Sequence, residues 1–169
     1  MSNYYTQFSE ALVLDNAEQA DWVRTQLDAK KLDRLREQAS KHPTPTDKLK
    51  VPDWAKELVL AEYILNGQDA YFSWEIEESD TPGKFNLAMF AEEVGDIDAV
   101  VEFVQAFLKK FAPDHCFTLS WAGTCSKMVA GEFGGGAAFV TADKVEYINT
   151  GQWLSERART AGPQSNVKD

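Results

Sequence analysis

Apolar and polar positions change rhythm twice along this chain. Residues 1–14 carry Tyr4, Tyr5, Phe8, Leu12 and Leu14 and read as an arm that packs onto the domain. From residue 16 the spacing turns helical: Ala20, Val23, Leu27, Leu32, Leu35 and Ala39 line one side, and Arg24, Asp28, Lys31, Arg34 and Glu37 the other. Asn16 followed by Gln19 matches a capping box, so the pattern predicts one amphipathic helix over 16–40. In KHPTPTDK (41–48), two prolines fix φ and remove donors, which predicts a rigid linker. Pro52 and Asp53 suit a first helical turn, Trp54, Leu58, Ala61 and Leu65 form a stripe, and Gly67 suits a C-cap. Residues 1–67 thus read as an arm and an α-hairpin.

Beyond residue 68 the period falls to two. Phe72, Trp74 and Ile76 alternate with Tyr71, Ser73, Glu75 and Glu77; after the turn cluster SDTPGK, Phe85, Leu87 and Met89 share one face. Asp96 caps a helix with Ile97, Val100, Val101, Val104, Leu108 and Phe111 facing inward, Lys109 and Lys110 at its end, and Pro113 as its stop. Phe117, Leu119 and Trp121 then alternate against Thr118 and Ser120, and GEFGGGAAFVTAD follows as the next strand. A last helix is expected from Thr141 or Asp143, carrying Val145, Ile148 and Trp153, and 162–169 as a frayed tail. Residues 68–161 therefore read as ββα-ββα, with the two halves as internal copies. FSWEIEES aligns with FTLSWAGT, and Gly83-Lys84-Phe85 with Gly131-Glu132-Phe133. The expected class is α+β: a four-stranded antiparallel sheet with two helices on one face, an N-terminal α-hairpin, and a pseudo-twofold between the halves.

Composition adds a charge argument. The 169 residues hold 17 Lys and Arg against 27 Asp and Glu, a net charge of −10. That balance repels nucleic-acid phosphates and anionic lipid, so no direct nucleic acid and no membrane are expected. It favours a protein partner with a basic surface. No apolar run reaches the roughly 18 residues of a membrane span, and the first residues lack a basic, apolar leader. With two cysteines only, Cys116 and Cys125, reduced thiols in a cytoplasm are expected.

Candidate chemistry is sparse. Gly131 and Gly136 have the spacing of a phosphate-binding loop, but Ala137 and Ala138 stand where Lys and Ser are needed. The glycines precede a strand rather than a helix, and the second copy is one residue longer between phenylalanines, so a β-bulge is expected there. Glu75, Glu77, Glu78 and Asp80, then Glu92 and Glu93, form an acidic rim that suits a partner better than catalysis, since no fixed spacing marks a paired acid and base. His42 and His115 offer neither a nucleophile's base nor a zinc spacing, so no catalytic residue, metal or cofactor is assigned. An alternative is a ligand pocket between sheet and α-hairpin, lined by Tyr71, Trp54, Trp74, Phe90 and Phe139, with Glu75 beside it.

FSWEIEES, CFTLSWAGTCSK and GEFGGGAAFVTAD resemble segments of uncharacterised ferredoxin-like proteins of bacterial phages, plasmids and integrated mobile elements. The resemblance covers residues 69–155 and transfers no site residue. It implies a small accessory protein in the bacterial cytoplasm, of the kind that, as anti-CRISPR proteins do, blocks a host defence complex by binding it. A non-enzymatic acidic protein-binding module is therefore the first expectation, a small-molecule domain or enzyme the second, and a homodimer is compatible with either.

Overall fold

The computed structural model describes residues 2–41 and 72–161. The strands and helices are β1 (Tyr4–Leu14), α1 (Ala17–Lys41), β2 (Ser73–Glu78), β3 (Phe85–Ala91), α2 (Ile97–Phe111), β4 (Cys116–Cys125), β5 (Gly134–Thr141), β6 (Val145–Asn149) and α3 (Thr150–Ala161). The strands form one antiparallel sheet in the order β2-β3-β1-β4-β5-β6. The expected linker, the helix after Pro52 and the tail lie outside the described residues.

This overturns the four-stranded expectation. Residues 4–14 are not an arm but the strand that joins the two halves of the sheet. Phe8–Leu14 pair with β3, whereas Tyr4–Gln7 pair with β4. The alternation was present in Phe8, Leu12 and Leu14, but Glu10 interrupts it at an inward register position opposite Met89. On its other flank the N-terminal half of β1 is fastened by a loop: Thr6 N–H donates to Glu93 O (2.8 Å) and Gly95 N–H to Thr6 O (3.0 Å). The pseudo-twofold also fails. β1 adjoins the second strand of one hairpin (β3) and the first strand of the other (β4), so the two hairpins are not equivalent. The sixth strand is the other omission: Val145–Asn149 is β6, and the last helix starts only at Thr150.

One face of the sheet is sealed by α1 and α2. Leu12, Leu14, Leu87, Met89, Leu119, Ala138 and Val140 point into a core completed by Ala20, Val23 and Leu27 of α1 and by Val100, Phe103, Val104, Phe107 and Leu108 of α2. Trp22 locks the helices together, its ring 6.0 Å from that of Phe103 and 5.5 Å from that of Phe111. Both helix starts follow the sequence. Asn16 Oδ1 accepts from Gln19 N–H (3.0 Å) while Gln19 Oε1 accepts from Asp15 N–H (2.7 Å), and Asp96 Oδ1 accepts from Ala99 N–H (3.0 Å).

The glycine run has a steric cause. Gly134, Gly135 and Gly136 pair in unbroken register with Gly123, Ala122 and Trp121, so no residue is inserted and there is no bulge. A Cβ on Gly136 would collide with the Trp121 ring and the Ile148 carbonyl, and Gly135 has φ +151°. Gly136 leaves room for the Trp121 indole against the neighbouring strand.

Candidate binding face

The face of the sheet opposite α1 and α2 carries the outward half of every alternation. Val13, Phe139 and Ile148 lie on it at 56%, 42% and 51% exposure, with the small residues Ser9, Ala11, Thr118 and Ser120 exposed around them. No described helix buries these positions. Across β4, β5 and β6 the register aligns two outward rows, Thr118–Phe139–Glu146 and Ser120–Ala137–Ile148. Between them runs a groove of about 330 Å³, open to solvent, whose lining also includes Glu10, Leu119, Ala138 and Tyr147, four residues at helix-side register positions. The side chains of Leu119 and Ala138 are buried on the helix side, so the groove meets their backbone.

The charge pattern of the sheet is one-signed. None of the six strands contains a lysine or arginine, whereas Glu10, Glu75, Glu77, Glu78 and Glu146 are all strand residues. Glu146 is met by its own neighbour, Lys144 Nζ at 2.7 Å. Glu75 and Glu77 face outward on the edge strand β2, in register with Ala88 and Asn86.

The structure separates part of the expected acidic rim. Glu78 points to the other face, and Asp80 stands in the β2–β3 turn. Glu92 and Glu93 follow the far end of β3, roughly 20 Å from Glu78 at about 3.3 Å per residue. Their side chains are exposed, and their carbonyls hold β1, Glu92 O accepting from Gln7 Nε2 (2.8 Å). The expected pocket divides as well. Trp74, opposite Met89, packs against the core, while Phe90 and Phe139 face outward on strands that β1 and β4 separate. Trp54 and Tyr71 lie outside the described residues. The helix expected over VEYIN hides the outward places of Glu146 and Ile148, although the alternation of this segment is a signal for a strand.

Among the described residues three titratable groups are shifted, each by its local surroundings. Burial, with a hydrogen bond to Asp98 (3.2 Å), raises the Tyr147 phenol and ties β6 to the start of α2. A hydrogen bond to Glu132 raises Tyr4. The Lys84 ammonium, 2.7 Å from Asp15, lowers that carboxyl. Cys116 is exposed and Cys125 buried at opposite ends of β4. Among the described residues no three His, Cys, Asp or Glu side chains converge in a way that could hold a metal ion, and no helix is long and apolar enough to cross a membrane. Chemically, the outward face offers an apolar shelf with carboxylates at its margins, suited to an apolar segment that also carries cations.

No family model, curated protein or solved structure matches this chain.

Proposed function

We propose that this chain is a non-enzymatic protein-binding module, which takes a partner segment rich in apolar and basic residues on the outward face of its sheet. The carrying observation is that, among the described residues, no helix covers this face, which is grooved and apolar, on strands whose only charged residues are glutamates. Burial of Phe139, Ile148 and Val13 would supply affinity, and Glu75 and Glu77 would select and steer a cationic partner. An accessory role against the basic, nucleic-acid-binding surface of a host defence complex belongs to the same proposal and draws its support from the net charge of −10.

The test is an NMR titration with two designed extended peptides, one alternating leucine with lysine and one leucine with glutamate, at low ionic strength. The lysine peptide is expected to shift the amides of Ala137, Phe139 and Ile148, and the glutamate peptide to leave them in place. Reversing Glu75 and Glu77 to lysine should weaken the first interaction and flatten its loss with salt. Equal binding of both peptides, or shifts confined to the helix face, would defeat the proposal.

A further inference from the structure

The two edges of the sheet are built differently. β2 ends the sheet with Glu75, Glu77 and Glu78, a charged edge of the kind that resists pairing. β6 ends it with Val145-Glu146-Tyr147-Ile148-Asn149, whose one charge is already met by Lys144. The outward hydrogen-bonding groups of β6 can be identified. Thr141 N–H donates to Lys144 O (2.8 Å), closing the β5–β6 turn. Pairs in an antiparallel ladder then alternate, so Phe139–Glu146 and Ala137–Ile148 exchange bonds. Val145, Tyr147 and Asn149 are left directing their N–H and C=O groups away from β5.

The helix that follows is uncovered too. α3 has twelve residues and buries none of them, with Trp153 and Leu154 at 46% and 54% exposure. It is anchored at its start, where Asn149 Oδ1 accepts from Gly151 N–H (2.9 Å) and Thr150 Oγ1 donates to Gly135 O (3.0 Å). A helix of about 12 residues is marginal in water without an apolar contact. An undefended strand edge and an unburied helix thus adjoin on one side of the molecule.

We infer that this side is a self-association surface, on which β6 pairs antiparallel with β6 of a second copy about a twofold axis at Tyr147. In that arrangement Asn149 lies opposite the partner's Val145, and each α3 starts beside the partner's β5–β6 turn. Charge selects a second copy as the occupant. α3 carries Arg157 and Arg159 against one glutamate, Glu156, a net +1, whereas the turn and strand it would meet carry the partner's Asp143, the partner's Lys144 and the partner's Glu146, a net −1. A twofold brings each net-positive helix to the net-negative turn and strand of the other copy twice over, and Trp153 and Leu154 gain cover in the same step. Five residues of β6 and twelve of α3 stand below the roughly 20–30 residues per side of a standard interface, so dissociation in the micromolar range is expected.

Sedimentation velocity of the full chain over a concentration series tests this, together with amide hydrogen exchange. The expected result is a concentration-dependent species of twice the 18.9 kDa chain mass, with the amides of Val145, Tyr147 and Asn149 becoming protected as it forms. Tyr147→Pro removes an outward donor without costing a β5 ladder bond. Each lost bond counts twice across the axis, so dissociation should strengthen roughly tenfold or more. Leu154→Glu, which leaves the sheet untouched, should weaken the dimer independently, and circular dichroism establishes that both variants are folded. A monomer at every concentration, or a dimer that both folded variants leave unchanged, would overturn the inference.

Discussion

Gly136→Ala is expected to destabilise the chain by about 2 kcal/mol although it adds one methyl group. That methyl would be driven into the Trp121 indole on one side and the Ile148 carbonyl on the other. Overpacking of this kind costs about 1–3 kcal/mol, and the upper part of the range applies because one obstacle is backbone and cannot rotate away. Against it stands a gain of about 0.4–1 kcal/mol from a less flexible unfolded chain. The balance predicts a fall in Tm of about 4–8 °C for a chain of this size. The assay is thermal unfolding followed by circular dichroism, with Trp121→Ala as a second background. Removing the indole relieves one of the two obstacles, so Gly136→Ala should cost about 1 kcal/mol less there. An equal cost in both backgrounds, or a stabilising effect of Gly136→Ala alone, would refute the claim that the indole dictates glycine.

Three further outcomes are expected. Asp96→Ala should lower stability by about 1 kcal/mol in urea unfolding, since the side chain satisfies the Ala99 N–H at the start of α2. Because Lys84 holds the Asp15 carboxyl below 3.8, the pair stabilises the fold above that pH, and the contribution disappears as pH falls through the lowered value. Lys84→Met should therefore reduce Tm slightly near neutrality, with both groups about half exposed, and the difference from the parent should vanish in acid. Tyr147 and Tyr4 should ionise above 10.0, later than ordinary phenols, in a phenolate absorbance titration. The neutral form of Tyr147 is the one the fold favours, so its contribution holds below 10.0 and is lost as pH rises past it. Tyr147→Phe should delete its own late titration and leave that of Tyr4.

Much of this structure was legible in local pattern. The caps at Asn16 and Asp96, the helical stripe of α2 and the inward faces of β2 to β5 each follow from residues within one element. The failures are of another kind. β1 was read as an arm because Glu10 breaks its alternation, and its place between β3 and β4 depends on partners more than 70 residues away that no local period encodes. β6 was lost because five alternating residues run directly into a helix, and the apolar pair Val145 and Ile148 also satisfies a helical spacing. The sequence shows which residues are acidic, but whether they share a strand and a face is a matter of register. Glu75 and Glu77 do; Glu78 does not. The groove was illegible for the same reason, since its two rows exist only once β4, β5 and β6 are aligned.

The divided pairing of β1 has a consequence during synthesis. This strand leaves the ribosome ahead of both its neighbours, and its N-terminal four residues find their strand partners only when residues 122–125 have been made. Until then the chain can complete β2 and β3 against the C-terminal half of β1, but not close the sheet. Such late, distant pairing slows folding and leaves an unpaired edge exposed to nascent neighbours. The vulnerable period of this protein's life therefore falls between the emergence of β3 and that of β4, while α2 is already formed but has only half a sheet to cover.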